Sequence, residues 1–472
     1  MTTSSKTFDV VILGGGPAGY GAALYGASAG LSIALVEASK VGGTCLHKGC
    51  VPAKEFLETA AIYRSVSNAK TFGIETSKPK IDFSISQARK QKVVDQLWKG
   101  LTGLLRKRKV TIIQGRGYLK NSNTVEVEGY GQLEGNYIIL ATGSDVRTLD
   151  GFEVDGRFVM TSDEVLSLET LPSSVAVIGG GAIGCEFASM MSDLGVKVTI
   201  LEALPQLLTG VDADVAQVLD RSFKKRGIEV KTGVRIQGHI PGASTTKISF
   251  SSNETDGEKL HTLEVDTIIV SVGRKPNSEK IASDQIGLEI DDRGFVVVDN
   301  KMRTNLENVY AIGDLVPTAQ LAHVGFAEAI VAIKEILKED PLPVNYSAVP
   351  WCIYSHPEVA FVGLSEDQAR NLGHDILVSK HRFAGNSRAL IIGESEGLVK
   401  VISERNYDGS AGKILGVHLV GPWATELLGQ GYLAVNWEAT PEEVSNFIQP
   451  HPTLSEAFGE TVMSLTGRGL HG

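Results

Sequence analysis

The chain has few cysteines, no long apolar run and no excess of positive charge, and each shortage excludes a class of protein. Four cysteines in 472 residues do not make a disulfide scaffold, so a reducing cytoplasm is the expected compartment. No run of about 18 uncharged apolar residues occurs, so we predict no membrane-spanning helix and no membrane partner. A net charge of −10 argues against nucleic acid as a partner. The opening MTTSSKTFDVVILGGG has no apolar or Arg-rich targeting segment, which also predicts a cytoplasmic protein.

Glycine, by contrast, is abundant, with 52 residues, and part of it forms a repeated pattern. The two copies are FDVVILGGGPAGYGAALYGASAGLSIALVE and SSVAVIGGGAIGCEFASMMSDLGVKVTILE. Each runs from a β-branched apolar stretch through G-x-G-x-x-G and an Ala-rich helical stretch to a second apolar run. Each ends in a glutamate, Glu37 or Glu202, 23 positions after its first glycine. The fingerprint glycines are Gly14, Gly16 and Gly19 in the first copy and Gly179, Gly181 and Gly184 in the second.

This pattern is typical of a dinucleotide-binding unit. The first glycine makes the turn from strand to helix, the second lets a pyrophosphate approach the backbone, and the third lets the helix pack on the strand. The helix N-terminus offers free N–H groups to the phosphates, and the glutamate can accept from the ribose hydroxyls. A lone glycine-rich turn in an ordinary α/β domain is the alternative, but the strand, helix and glutamate recur together in both copies. We therefore predict two bound dinucleotides.

The residues after Glu202 favour NAD as the dinucleotide of the second copy. An NADP site needs a positive side chain near the 2′-phosphate. The segment ALPQLLTGVDAD, which follows Glu202, contains no arginine or lysine. NADP is therefore disfavoured.

The rest of the chain fits an α/β protein with two Rossmann-like dinucleotide-binding domains plus a C-terminal α+β domain. Apolar strands that end in Ala-Thr-Gly and Ser-Val-Gly are predicted in NYIILATGSDVR and VDTIIVSVGRKPN. From about Val349, alternating apolar runs indicate an antiparallel sheet with helices. The predicted division is 1–150 for the first part of the first nucleotide domain, 151–275 for the second nucleotide domain, 276–348 for the second part of the first, and 349–472 for the C-terminal domain.

The stretch GGTCLHKGCVPAK holds Cys45 and Cys50, which could bind metal, form a structural bond or carry electrons. Zinc needs about four ligands, and only His47 lies nearby, so we predict no metal. In a regular helix the two Cα atoms would lie roughly 8–9 Å apart, beyond the reach of about 7 Å for a disulfide. If the sulfurs bond, the helix must be interrupted between them, and Gly49 is placed to permit that. Lys54, one turn after Cys50, is placed either to lower a thiolate pKa and stabilise reduced flavin or to lie on the surface.

The other two cysteines, Cys185 and Cys352, are isolated in apolar contexts and are predicted to be buried small residues.

Thiol–disulfide exchange needs a group that takes a proton from a thiol, and His451 is the strongest candidate. It precedes Glu456 in QPHPTLSEAFGE, and a carboxylate on one imidazole nitrogen leaves the other ready as a base. Alternatively, Thr453 to Glu456 forms a helix capping box. Asp314, after a predicted strand, either accepts from a ribose or ribityl hydroxyl or caps the next helix. Three other histidines are expected to be structural or to line a cofactor site: His323, His356 and His418.

Over nearly its full length, the chain resembles the flavin-dependent pyridine nucleotide–disulfide oxidoreductases. The matching segments are GGGPAG, GGTCLHKGCVPAK, ATGS, GGGAIGCE, VGRKPN, AIGD, LAH and HPTLSEAFGE. Within this family the chain is most similar to members that oxidise dihydrolipoamide. The cysteine motif together with the terminal His-Pro-Thr makes the resemblance specific.

The resemblance implies FAD in the first nucleotide domain, NAD in the second, and a dimerisation (interface) role for residues 349–472. It implies that Cys45 and Cys50 form a redox-active disulfide, with Cys45 meeting the thiol substrate and Cys50 facing the flavin. It also implies that Lys54 pairs with Glu186 beside the flavin. The implied FAD residues are Gly14, Gly16, Gly19, Glu37, Thr44, Lys54, Gly117, Thr142, Gly143, Ser144, Asp314, Gln320, Leu321, Ala322 and His323. The implied NAD residues are Gly179, Gly181, Gly184, Glu186, Glu202 and Gly273.

The implied activity is oxidation of protein-bound dihydrolipoamide with NAD, as the third component of 2-oxoacid dehydrogenase complexes. The implied enzyme is a homodimer in which His451, with Glu456, serves the other subunit's cysteines. Because no lipoyl-type domain precedes Phe8, we expect the lipoyl group on another chain, an acyltransferase or a lipoyl carrier protein. The alternatives are an NAD(P)H-dependent reductase of another disulfide or metal substrate and a non-catalytic subunit that holds FAD.

One stretch departs from the family pattern. Members often have Asn-Val where this chain has His47 and Lys48, and Ser where it has Ala53. The side chains of His47 and Lys48 could shift the thiolate pKa or the charge preference for the substrate. Alternatively, both point to solvent, which is what we expect.

Overall fold

The computed structural model describes residues 6–254, 257–279 and 281–471, so the first five residues of the N-terminal segment inspected above lie outside it. The first glycine-rich copy folds as the strand, turn, helix and strand that its pattern predicts. The strands here are β1 (Lys6–Leu13), β2 (Ile33–Glu37), β3 (Thr111–Gln114), β4 (Gly117–Asn121), β5 (Thr124–Val127), β6 (Gly131–Leu140) and β7 (Ser144–Val146). The helices are α1 (Pro17–Ser28), α2 (Gly43–His47), α3 (Cys50–Ser67) and α4 (Phe83–Lys107).

The first sheet places the first nucleotide unit at the carboxyl ends of parallel strands. Its order is β3-β2-β1-β6-β5-β4, with the first four strands parallel, β5 antiparallel to β6 and β4 antiparallel to β5. Val10, Val11 and Ile12 have no exposed surface because both faces of β1 are covered. Ligands of such sheets bind beyond the carboxyl ends of the strands.

The second glycine-rich copy repeats this construction. Its strands are β8 (Val159–Met160), β9 (Ser174–Ile178), β10 (Lys197–Leu201), β11 (Glu229–Lys231), β12 (Val234–Pro241), β13 (Thr246–Glu254), β14 (Gly257–Val265) and β15 (Thr267–Val270). Its helices are α5 (Ser162–Val165), α6 (Ala182–Asp193) and α7 (Ala213–Lys225). The parallel order is β11-β10-β9-β15-β8, and β12, β13 and β14 form a separate antiparallel sheet.

After the second unit the chain returns to the first. The connecting elements are β16 (Arg274–Pro276), β17 (Val309–Ala311) and α8 (Ala322–Ile336). β16 pairs antiparallel with β7, and β17 pairs parallel with β6. α8 packs on α1, where Gly325 lies so close to Ala18 that an added Cβ would be 3.0 Å from the Ala18 Cβ.

The last part of the chain is an antiparallel sheet with helices. Its strands are β18 (Trp351–Ile353), β19 (Glu358–Gly363), β20 (Ile376–Arg382), β21 (Leu398–Arg405) and β22 (Ala411–Gly421). Its helices are α9 (Glu366–Asn371), α10 (Ser387–Ile391), α11 (Ala424–Asn436), α12 (Pro441–Ser445) and α13 (Glu456–Leu465). The sheet order is β18-β19-β22-β21-β20, and α11 and α13 pack on it. The predicted fold class is confirmed, and the borders at 150, 275 and 348 stay predictions.

A buried lysine of the tail sheet joins it to the second nucleotide unit. Lys400, in β21, has a side chain that is 2% exposed. Its Nζ lies 2.9 Å from Asp212, 2.6 Å from Asp214 and 2.8 Å from Glu366. Asp212 also caps α7 by accepting from the Asp214 amide. Three carboxylates from two parts of the fold therefore surround one desolvated cation.

None of the helices formed by the described residues is long and apolar enough to cross a membrane.

Candidate active site and nucleotide-binding cavity

A cavity of about 2190 Å³ opens between the two nucleotide units, and the first strand of the tail sheet borders it. It contains both cysteines of the GGTCLHKGC motif. The sequence-predicted residues that line it are Gly14, Gly16, Glu37, Thr44, Cys45, Cys50, Lys54, Gly117, Thr142, Gly143, Ser144, Gly179, Gly181, Glu186, Glu202, Gly273, Asp314, Gln320, Leu321 and Ala322. The remaining five predicted residues, Gly19, Gly184, His323, His451 and Glu456, are not part of its wall.

The third glycine of each fingerprint is tightly packed, whereas the second faces open space. A Cβ on Gly19 would lie 1.8 Å from the Gly14 carbonyl oxygen, and one on Gly184 would lie 1.9 Å from that of Gly179. By contrast, a Cβ on Gly181 would meet nothing within 4 Å, and one on Gly16 would meet only the Gly43 Cα, at 3.9 Å. The second glycine of each fingerprint thus leaves room for a phosphate at the start of α1 or α6.

The two distal glutamates have the same hydrogen bonds. Glu37 accepts from the Gly15 amide at 2.7 Å and from the Ser39 amide at 2.7 Å. Glu202 accepts from the Gly180 amide and, at 2.7 Å, from the Leu204 amide. Each carboxylate is therefore fixed at the end of its strand, and its remaining lone pairs are available to ribose hydroxyls.

The cysteines lie on either side of a break between two helices, as the spacing predicts. α2 ends at His47 and α3 begins at Cys50, with Gly49 between them at φ −148° and ψ −112°. A Cβ on Gly49 would lie 3.1 Å from the Thr44 carbonyl oxygen. Both cysteines are thiols in this structure. Cys50 is exposed to the cavity, although protein atoms surround it on most sides.

A hydrogen bond between the two sulfurs decides which thiol keeps its proton. This bond lowers the pKa of Cys50 to about 7, against the effect of burial and helped by the charge of Lys54. The same bond, together with burial, raises the pKa of the Cys45 thiol far above its ordinary value. Cys50 also begins an 18-residue helix, where the N-terminus favours a thiolate. In the dithiol state Cys50 is therefore the thiol that ionises first, and Cys45 keeps its proton.

Lys54 and Glu186 form the expected ion pair beside Cys50. The Lys54 Nζ lies 2.9 Å from both carboxylate oxygens of Glu186, whose side chain is 8% exposed. Glu186 also accepts from the Tyr354 amide at 2.9 Å. Burial opposes the lysine charge, but Glu186 prevails and raises the pKa of Lys54. A permanent positive charge is thus held next to the thiolate.

The cavity wall also carries polar groups that suit a flavin nucleotide. Asp314 accepts from the Ser144 hydroxyl at 2.6 Å, and Ser144 accepts from the Arg274 Nε at 2.7 Å. Asp314 does not cap the next helix, since α8 follows Leu321. The buried Nε2 of Gln320 has no partner among the described residues. An unpaired donor in the wall, the open fingerprint glycines and the free acceptor positions together fit a bound dinucleotide.

His451 and Glu456 are paired, but neither lines the cavity that contains the cysteines of their own chain. The His451 Nδ1 is 2.7 Å from one Glu456 oxygen, and the imidazole side chain is 70% exposed. The other Glu456 oxygen accepts from the Thr453 amide at 2.7 Å. Although burial acts the other way, these bonds lower the pKa of Glu456. The carboxylate thus serves both the imidazole and the turn before α13.

The structure settles where several other predicted side chains lie. His323 bonds the Pro350 carbonyl at 2.9 Å, outside the cavity wall. His47 bonds the Val41 carbonyl at 3.0 Å, and the largely exposed Lys48 pairs with Asp163 at 3.0 Å.

Cys185 is buried as predicted, whereas the prediction of a buried Cys352 is wrong. Cys352 is only partly buried, because its strand, β18, borders the cavity.

Several cations of the cavity wall were not singled out from the sequence, among them Arg274 and Arg235. Arg274, within the VGRKPN segment, reaches Ser144 from a neighbouring strand. Arg235 lines the cavity beside Val234, whose amide donates to the Glu202 carbonyl. Arg274 directly follows Gly273 and Arg235 comes two residues after Gly233, a signal too common to single them out.

Comparisons with known proteins match nearly the whole chain to one family. Residues 8–329 match the family described as pyridine nucleotide-disulphide oxidoreductase, and residues 349–462 match the dimerisation domain of that family. A dihydrolipoyl dehydrogenase of Bacillus subtilis is 41% identical over 98% of this chain and 99% of its own. A dihydrolipoyl dehydrogenase of Zymomonas mobilis is 38% identical, with 98% and 99% covered.

Two solved structures have similar folds. The crystal structure of LpdA from Mycobacterium tuberculosis has a TM-score of 0.89 at 26% identity, covering 97% of this chain and 99% of that one. The HOCl-induced flavoprotein disulfide reductase RclA of Escherichia coli has a TM-score of 0.85 at 26% identity, covering 96% and 99%.

Proposed function

Because the chain belongs to the pyridine nucleotide–disulphide oxidoreductase family, we propose that it is a dihydrolipoyl dehydrogenase that uses FAD and NAD. The observation that carries this proposal is the position of the thiol pair. Cys45 and Cys50 line a cavity into which both nucleotide fingerprints open, with the Lys54–Glu186 pair beside them. Relatives that bear this enzyme name are 41% and 38% identical over almost the whole chain.

In the proposed reaction, a thiolate of dihydrolipoamide attacks the Cys45 sulfur of the oxidised pair and breaks its bond to Cys50. The second substrate sulfur then attacks the first, releases the cyclic disulfide and leaves Cys45 and Cys50 reduced. One of the two substrate protons passes to the Cys45 sulfur when it leaves the mixed disulfide, and His451 takes the other. Cys50 is left as a thiolate, which matches its lowered pKa.

FAD bound along the first unit would supply the carrier that accepts two electrons from the cysteines and passes them as a hydride to NAD. Around it, Lys54 holds a positive charge beside the thiolate, and Asp314 and Gln320 offer polar contacts from the cavity wall. Glu37 and Glu202 fix the ribose ends of the two nucleotide sites.

His451 is proposed to act on the cysteines of the partner subunit in a homodimer. The match to a dimerisation domain over residues 349–462 supports the dimer. The exposure of the His451 side chain and its absence from the wall of its own cavity support action in trans.

The proposed partner is a lipoyl-bearing acyltransferase or lipoyl carrier protein, and the proposed role is the third component of a 2-oxoacid dehydrogenase complex in the cytoplasm.

A second candidate is a reductase of another disulfide or metal substrate. The likeness to RclA, a flavoprotein disulfide reductase, favours it. The higher identity to dihydrolipoyl dehydrogenases over the same length ranks it below the first proposal.

An assay separates the two candidates and a spectrum tests the mechanism. The purified enzyme should reduce NAD with dihydrolipoamide far faster than it reduces other disulfides with NADPH. Anaerobic titration with NADH should give a long-wavelength absorbance band from the Cys50 thiolate to the flavin. An enzyme that lacks both the dihydrolipoamide activity and the band contradicts the proposal.

A further inference from the structure

Glu328 is a fully buried carboxylate in α8 that lies behind the wall of the cavity. Its exposed fraction is 0%, and it does not line the cavity. Across residues 6–254, 257–279 and 281–471, no lysine, arginine or histidine forms an ion pair with it. A buried carboxylate without a cation is costly unless hydrogen bonds satisfy it. The burial of Glu328 therefore needs hydrogen-bond donors around its carboxylate.

Three hydrogen-bond donors converge on this carboxylate. The Gly313 amide donates to one oxygen at 2.6 Å. The Thr318 hydroxyl, at 2.7 Å, and the Tyr346 hydroxyl, at 2.9 Å, donate to the other. Two of these donors come from the turn 312–318 and the third from the short turn near Tyr346. Glu328 therefore ties the turn 312–318 to the body of the fold.

The tied turn is the part of the cavity wall that meets the first nucleotide site. Asp314 lies in it, with one oxygen already engaged by Ser144. Gln320, two residues beyond it, carries the buried Nε2 that has no partner among the described residues. The position of both groups depends on the backbone at Gly313 and Thr318, which Glu328 holds from behind.

We propose that Glu328 is a positioning residue for the flavin nucleotide, fixing the turn 312–318 so that Asp314 and Gln320 meet the bound FAD. This inference rests on the proposed FAD cofactor. A purely structural role for Glu328 would lower the stability of the apoprotein and leave its affinity for FAD unchanged. A positioning role weakens FAD binding beyond any loss of stability, because the binding groups lose their preorganised places.

The test compares FAD binding to apoprotein among three variants. Glu328→Met keeps the length of the side chain and removes every acceptor, so the Kd for FAD should rise at least about 10-fold. Glu328→Gln retains an acceptor for the Gly313 amide, and the two hydroxyls can turn to accept from its amide, so it should recover most of the affinity. Tyr346→Phe removes one donor and should raise the Kd about threefold. Fluorescence titration with FAD gives each Kd, and urea unfolding of each apoprotein gives its stability.

Glu335→Met is the matched control, on the same helix two turns further on. Glu335 pairs with Lys301 at 3.1 Å and does not line the cavity. Its FAD affinity should stay within about twofold of wild type, although its stability falls.

Different results would contradict the positioning role of Glu328 and the proposed function. If wild-type apoprotein binds FAD and the Glu328 and Tyr346 variants bind it equally well, the positioning role is wrong and the proposed function stands. If wild-type apoprotein binds no FAD, both are wrong. If Glu328→Met does not fold, Tyr346→Phe decides, and an unchanged Kd for that variant overturns the positioning role.

Discussion

Lys54 and Glu186 are 132 residues apart in the sequence, yet the Lys54 Nζ lies 2.9 Å from each carboxylate oxygen of Glu186. Lys54 belongs to α3 of the first nucleotide unit and Glu186 to α6 of the second. The pair therefore fixes a positive charge beside Cys50 at the place where the two units meet. The ionisation of the thiol pair therefore depends on the positions of both nucleotide units.

Lys54→Met should raise the pKa of Cys50 in the reduced enzyme. The hydrogen bond from Cys45 and the charge of Lys54 both lower this pKa, to about 7. The thiolate is present above its pKa and is lost as the pH falls through it. Without Lys54 this loss should begin at a higher pH, seen as the fading of the thiolate-to-flavin absorbance band during an acid titration. Lys48→Met is the control, because the Lys48 amine is bound to Asp163, and its titration should match wild type.

Cys45→Ser should abolish the reaction with dihydrolipoamide while leaving FAD bound. Cys45 is proposed to be the sulfur that the substrate attacks, whereas Cys50 and the nucleotide contacts remain in this variant. Steady-state turnover and the flavin absorbance of the purified protein measure the two effects. Cys185→Ser is the control, since a serine hydroxyl can also donate to the Gly180 carbonyl that accepts from Cys185. Retention of most turnover in Cys45→Ser contradicts the assignment.

Glu202→Gln should narrow the preference for NAD over NADP. The Glu202 carboxylate is held by two backbone amides, and a 2′-phosphate beside it would place two negative charges together in a partly desolvated site. The neutral amide removes this repulsion, and Arg235 of the cavity wall is a cation within the same region. The ratio of kcat/KM for the two cofactors measures the preference. Equal kcat/KM values for NAD and NADP in the unmutated enzyme would show that Glu202 does not select NAD.

His451→Gln should slow the dithiol half-reaction by about 10²–10⁴, the usual effect of losing a general base. The reaction of reduced flavin with NAD should change far less, because it takes no proton from the substrate thiol. Rapid-mixing absorbance separates the two half-reactions.

Mixed dimers decide whether His451 acts across subunits. A dimer of one Cys45→Ser chain and one His451→Gln chain contains one site with intact cysteines and an intact partner histidine. Activity should therefore reappear on mixing two nearly inactive parents. No recovery, once heterodimers are shown to form, means that His451 serves its own chain or takes no part in catalysis.

Lys400→Met should destabilise the protein by about 3–5 kcal/mol, because it leaves three carboxylates without their buried cation. Urea unfolding measures this loss. Lys413→Met removes an exposed pair with Glu438 and should cost at most about 1 kcal/mol. A small loss of stability for Lys400→Met would mean that water or rearranged side chains satisfy the three carboxylates in place of the lysine.

The parts of the fold that the sequence predicts are those with a local cause. The fingerprint around Gly14 and Gly16 combines a strand, a turn and a helix within one short segment, so periodicity and glycine spacing suffice. The helix break between Cys45 and Cys50 follows from helix geometry once the two sulfurs are required to come within bonding reach. Glu328 looks like an ordinary helix residue, because its donors come from turns on either side of α8 in the sequence.

Long-range pairs could not be predicted from pattern. Lys400 meets Asp212 across 188 residues, and no local signal marks either side chain. Arg274 reaches Ser144 across 130 residues for the same reason. Such pairs depend on how whole units dock, which local sequence patterns do not reveal.

The matching hydrogen bonds of Glu37 and Glu202 make the two nucleotide units comparable position by position. After Glu37 the chain continues into the cysteine motif, whereas after Glu202 it continues into ALPQLLTGVDAD. The proposed redox function therefore occupies a segment in which two otherwise similar scaffolds differ. Because Lys54 pairs with Glu186 of the second unit, an exchange of that segment between flavoproteins would have to carry both partners.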